Sequence, residues 1–148
     1  MDRSLPPAMT HRRRFSPLLL ALCGLVLMGI GVFFALARPN LLPEDARYIG
    51  MSSPQIHDAV PGLAGWLDKV FWVMGGYVFT SGLLVVYLAR TSFRTREPVA
   101  WGAAALAGVT SIGVMTGVNF VLGSDFRWPL LAVAMLWTTA LALSARDY

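Results

Sequence analysis

The chain has 148 residues, 56% of them apolar and only 14% charged, with a mean hydropathy of +0.61. Soluble domains carry about 25% charged residues, so a water-soluble enzyme domain, a disordered chain and a disulfide scaffold are all excluded. The formal charge of +4 has a sufficient explanation in membrane topology, and no nucleic-acid partner is expected.

A membrane-spanning helix needs about 20 apolar residues. In chain order, residues 1–14 are polar and contain proline, and read as a disordered cytoplasmic tail. Residues 16–37 form the first uncharged run. Arg12, Arg13 and Arg14 before it, and Ala35-Leu36-Ala37 at its end, resemble a signal peptide. The run exceeds the roughly 7–15 apolar residues of such a signal, so an uncleaved anchor is expected. The single cysteine, Cys23, lies within it and reads as a small buried apolar residue.

The connection 38–69 follows. Pro39 ends the first helix, and Leu42-Pro43-Glu44-Asp45 has the form of a helix start, with proline at the first position and acids in the first turn. Gly50 suits the residue after that helix. Ser53-Pro54-Gln55 is a second start, with Ser53 expected as the cap. Leu41, Leu42, Tyr48, Ile49, Met51, Ile56 and Val60 are too apolar for a solvated loop. Short helical pieces folded on the outer face of the bundle are expected, with Glu44 and Arg47 paired three residues apart.

The second span is 70–89, the third 99–122 and the fourth 129–144, with 145–148 left as a tail. Pro98 breaks any continuous helix between the second and third. The turn before the fourth is tight. The fold class is therefore all-α: one antiparallel four-helix membrane bundle with helical pieces in its long loop. With the N-terminus inside, eight Lys and Arg residues fall on the inner side and four on the outer. That places both termini in the cytoplasm of a cell with an inner membrane.

Lipid supplies no hydrophobic force between helices, so small residues mark close approach. Gly24 and Gly31 share a stripe of the first span, as do Gly75 and Gly82 of the second. The third carries Gly108, Gly113 and Gly117. The expected polar contacts at membrane depth are Tyr77, Thr80, Ser81 and Asn119. No Asp, Glu, Lys, Arg or His occupies the middle of a span, which disfavours a proton-coupled transporter. His11 and His57 fall on opposite sides of the membrane, so no metal site, haem or other cofactor is expected, and no catalytic residue is identified. Arg38, Glu44, Asp45, Arg47, His57 and Arg127 gather on the outer side in sequence, as candidate polar contacts.

The segments Leu41-Leu42-Pro43-Glu44-Asp45-Ala46-Arg47-Tyr48-Ile49-Gly50 and Gly75-Gly76-Tyr77-Val78-Phe79-Thr80-Ser81-Gly82-Leu83-Leu84 resemble stretches of small bacterial membrane proteins. The four-helix outline is loosely similar to DoxX-like proteins. The resemblance implies a bacterial inner-membrane bundle and carries over no active-site residues. The first functional expectation is a non-enzymatic accessory subunit that meets a larger membrane complex through glycine-rich faces, with the bilayer and other membrane subunits as partners. The alternative is an outward-facing protein that binds a small ligand or a lipid, or acts on one. Convergence of Arg and carboxylate side chains around an apolar cavity would separate the two.

Overall fold

A computed structural model describes the backbone of residues 7–145 and side chains from residue 15 onward. The helices are α1 (Pro7–Leu36), α2 (Pro43–Ile49), α3 (Ser53–Ala59), α4 (Leu63–Arg90), α5 (Pro98–Gly108), α6 (Val114–Val121) and α7 (Arg127–Ala145). A π-helical turn, Val109–Gly113, joins α5 to α6 within one continuous rod. No strand occurs among the described residues. Four helical stretches are long and apolar enough to cross a membrane: Phe15–Leu36, Leu63–Arg90, Pro98–Val121 and Arg127–Ala145. The chain is thus an all-α, multi-pass membrane protein.

Several boundaries differ from the sequence reading. α1 begins at Pro7, inside the stretch read as a tail. α4 begins at Leu63 instead of residue 70, because Gly62 opens the helix directly after Pro61 and nothing in 63–69 breaks it. Two helical turns are gained at that end of the span.

The helices lie side by side in the order α4, α1, α7 and then the α5–α6 rod. α1 and α4 have the most extensive contact, and small residues explain why. A Cβ on Gly24 would lie 2.8 Å from the carbonyl oxygen of Gly82, and one on Gly82 would lie 2.5 Å from that of Gly24. Gly75 and Gly31 repeat the arrangement, with a Cβ on Gly75 meeting the Gly31 oxygen at 2.6 Å. Each glycine pair is seven residues apart on its helix, so two antiparallel backbones touch at two matched points two turns apart.

α7 meets the third span differently, through indoles. Trp137 is 1% exposed and its Nε1 donates to the Ala104 carbonyl at 3.0 Å. Trp101 Nε1 donates to the Leu141 carbonyl at 3.1 Å. Gly108 makes room for the Trp137 ring, since a Cβ there would stand 2.5 Å from its Nε1. Each indole thereby spends its one donor on a neighbouring helix, and Trp137 also buries its ring.

The short connection 91–97 closes one end of the bundle. Phe93 is completely buried among the helix ends, with Ala89 and Ala100. Arg96 takes a left-handed backbone conformation, φ 65°, and its Nη1 donates to Ser144 Oγ at 2.8 Å.

The long connection at the opposite end is folded, as its two helix starts predict. Leu42 precedes α2, and its backbone N–H donates to Asp45 Oδ2 at 2.9 Å. Gly50 ends α2 with φ 78°, a conformation that a side chain disfavours. The cap of α3 is Ser52, one residue earlier than expected. Its Oγ accepts from Gln55 N at 3.4 Å, and its N–H donates to Gln55 Oε1 at 2.8 Å. With Pro54 at the second position, Ser52 is the residue that stands three before a glutamine, which is the spacing a capping box needs.

Candidate functional site

α1 approaches α4 closely on one side and α7 on the other. α7 in turn holds the α5–α6 rod, so α4 and the rod stand at the two ends of that row. Their contact is slight, chiefly between α4 and α5, the helices that flank the short connection. Toward the long connection they diverge around a cavity of about 910 Å³. This lies at the upper end of the roughly 300–1,000 Å³ typical of small-molecule sites.

The walls come mainly from three spans, and the fourth adds Leu130. α1 supplies Ile30, Phe33 and Phe34. α4 supplies Met74, Tyr77 and Ser81 from beside its glycine stripe, and Phe71 from one turn before Gly75. The rod supplies Ser111 from its π turn and Met115, Val118 and Asn119 from α6. Tyr77 is 74% exposed and Val118 50%, although both line the cavity. The cleft therefore opens sideways between α4 and α6, where lipid tails border the bundle.

The cavity ends in a polar head built by α2 and its flanks. Arg38 Nη2 donates to Asp45 Oδ2 at 3.0 Å, and this is the only ion pair among the described residues. The Arg38 guanidinium lies over Phe71, 3.9 Å from the ring centre, and 5.5 Å from that of Phe34. Both side chains of the pair are largely covered, at 10% and 20% exposure. Glu44, a single residue from Asp45, is 5% exposed and accepts from Ser124 Oγ at 2.9 Å. Ser124 Oγ also accepts from Phe126 N at 3.1 Å, which fixes the hydroxyl between the third and fourth spans. The long loop is thereby tied to both the first span and the turn before the last.

The expected Glu44–Arg47 pair does not form. Glu44 turns inward to Ser124, while Arg47 is exposed. A buried position with a hydroxyl donor outweighs an exposed pair of a few tenths of a kcal/mol. Of the outer-side candidates, the structure brings Arg38, Glu44 and Asp45 together. Arg47 and His57 face away on α2 and α3, and Arg127 lies 5.8 Å from the Trp128 ring. Tyr77, Ser81 and Asn119 line the cavity, whereas Thr80 is exposed and lies off its wall. The helix-packing glycines Gly24, Gly31, Gly75 and Gly82 lie in the α1–α4 contact and Gly108 against Trp137. Gly113 has only the Gly108 backbone near it, and Gly117 nothing within 4 Å.

The serine and threonine hydroxyls that line the cavity from α4 and the π turn are satisfied locally, whereas the buried Ser16 Oγ at the start of the first span has no hydrogen-bond partner among the described residues. Ser81 donates to the Tyr77 carbonyl at 2.8 Å, Thr110 to Leu106 at 2.9 Å and Ser111 to Ala107 one turn back. Asn119 Nδ2 donates to the Met115 carbonyl at 2.9 Å. Such back-bonding uses the proton and leaves oxygen lone pairs facing outward.

The aromatic wall, Phe33, Phe34, Phe71 and Phe126, was not among the sequence candidates, nor was Ser124. One signal was available: Phe34 and Arg38 are four apart, the spacing that stacks a guanidinium on a ring across the end of a helix. Among the described residues no group of three His, Cys, Asp or Glu side chains could hold a metal ion. Comparisons with protein-family models, with curated proteins and with solved structures found no match to the chain.

Proposed function

We propose that this protein is a non-enzymatic binding protein of the membrane that holds one apolar small molecule or lipid tail in the cleft between α4 and α6. The observation that carries the reading is the cavity itself: a drug-sized, mostly apolar space, open toward lipid and closed at one end by Arg38, Glu44 and Asp45. An apolar pocket with a few convergent polar groups is the usual form of a ligand site. The long loop is its lid, oriented to the outside of a bacterial inner membrane with both termini cytoplasmic. The eight-to-four distribution of Lys and Arg supports that orientation. A C-terminal alkaline phosphatase fusion is expected to be inactive, and activity would reverse the orientation.

The accessory-subunit reading needs glycine faces free for a partner. Gly24, Gly31, Gly75, Gly82 and Gly108 are occupied within the chain, and Gly117 is the one of the seven with open space beside it. The test is native mass spectrometry of the protein released from mild detergent. Wild type is expected to retain one lipid or apolar molecule. Val118→Trp, which fills the cleft from a half-exposed wall position, is expected to lose at least nine-tenths of that retention without losing its fold. Release with no ligand, or with a stoichiometric protein partner in its place, would overturn the binding reading.

A further inference from the structure

The ligand's head group can be read from what the cavity lacks. Its wall hydroxyls have already donated their protons to their own helices, and Asn119 has spent one N–H in the same way. What the wall groups offer inward is lone pairs, with the Tyr77 hydroxyl, the second Asn119 N–H and the Arg38 N–H groups not used on Asp45 or Pro39 as the remaining donors. At the head, Arg38 is neutralised by Asp45, and it also donates to the Pro39 carbonyl at 2.9 Å. Glu44 has no cation within ion-pair distance among the described residues, although it is 95% buried and lines the same cavity. A buried carboxyl group whose one bond is to a serine is costly to keep unless something opposite arrives.

We propose that the cavity selects an amphiphile bearing a primary ammonium head, with Glu44 as its acceptor and the apolar cleft taking its tail. The proposal rests on the cavity reading above and adds the head-group class to it. A primary ammonium has three donors and no acceptor, so it complements the buried Glu44 carboxyl group; a head whose only charged group is phosphate, sulfate or carboxylate would meet Glu44 with like charge. Two sources carry that chemistry: a free long-chain alkylamine and the ethanolamine head of a phospholipid.

The experiment measures retention by native mass spectrometry of the full chain reconstituted with equal loads of probe. The probes are a long-chain alkylamine, the alcohol and the alkyl sulfate of the same chain length, and phosphatidylethanolamine against phosphatidylglycerol with identical tails. Wild type is expected to retain the amine at least tenfold over the alcohol and to exclude the sulfate. Glu44→Gln keeps an oxygen for Ser124 and removes the charge. It is expected to bring amine and alcohol within twofold while holding the alcohol as wild type does. Preference for the ethanolamine phospholipid in addition identifies the bilayer as source; preference for the amine alone identifies a free amine. Equal retention of amine and alcohol by wild type overturns the assignment without recourse to any variant, as does a preference that survives in Glu44→Gln. Loss of every probe, alcohol included, instead removes the cavity reading on which it stands.

Discussion

The two faces of α4 solve opposite problems. One face presents Gly75 and Gly82 to Gly31 and Gly24, so that two backbones touch and nothing fits between them. The other presents Met74, Tyr77 and Ser81 to a space that no helix fills. The difference lies in where contact is spent. By pressing α4 against α1, the glycines leave the third span to be held by α7, and the cleft is the remainder of that arrangement. In lipid, where apolar surface gains little by leaving its surroundings, such a gap costs less than it does in a water-soluble core.

The comparison is broken most sharply at the glycines. Gly31→Leu or Gly75→Leu places a side chain against backbone 2.5 to 2.7 Å from its Cβ, where no flexible end can yield. Overpacking costs about 1–3 kcal/mol even where neighbours adjust, so loss of the monodisperse folded species in detergent is expected by size-exclusion chromatography. A smaller effect is expected at the cavity head. Arg38→Ala strands Asp45 and uncovers Phe71. A loss of about 2 kcal/mol is expected from thermal unfolding, between the ~0–1 kcal/mol of exposed pairs and the ~3–5 kcal/mol of buried ones. Faster proteolysis between Arg38 and Lys69 should accompany it, and an unchanged digestion rate would show that the pair does not hold the lid. The smallest effect belongs to Gly117→Leu, where open space should confine the change to within about 0.5 kcal/mol.

Spans and packing faces were legible in the sequence because each depends on local periodicity. An apolar run of sufficient length is a helix in lipid wherever it packs, and glycines seven apart mark one face regardless of partner. The helix α2 was legible for the same reason: Pro43, Asp45 through its bond from the Leu42 N–H, and Gly50 act within their own turns. The cavity head was legible only as a set of candidates. Whether Glu44 turns to Arg47 or to Ser124, eighty residues away in the chain, depends on which helices flank the loop, and no local pattern encodes that. The loop's apolar residues show the limit from the other side. Ile56 is buried as expected, but Tyr48, Ile49, Met51 and Val60 remain exposed, because α2 and α3 are too short to turn every apolar side chain onto the bundle.

The π-helical turn at Val109–Gly113 has a consequence for how this chain tolerates length change. An α-helix turns by about 100° per residue, and a π turn accommodates one residue more than an α turn does. The turn therefore absorbs one residue while keeping in phase two halves of the rod with unrelated duties: Gly108 faces Trp137 on α7, while Val118 and Asn119 line the cleft. A single-codon deletion within 109 to 113 is expected to restore a continuous α-helix and leave α6 near its present phase, whereas the same deletion within α6 before Val118 would swing the residues beyond it by about 100°. For this span, then, reading frame along the helix axis is a property separate from hydrophobicity, and 109–113 is the stretch where a residue can be lost without turning the cleft's far wall away.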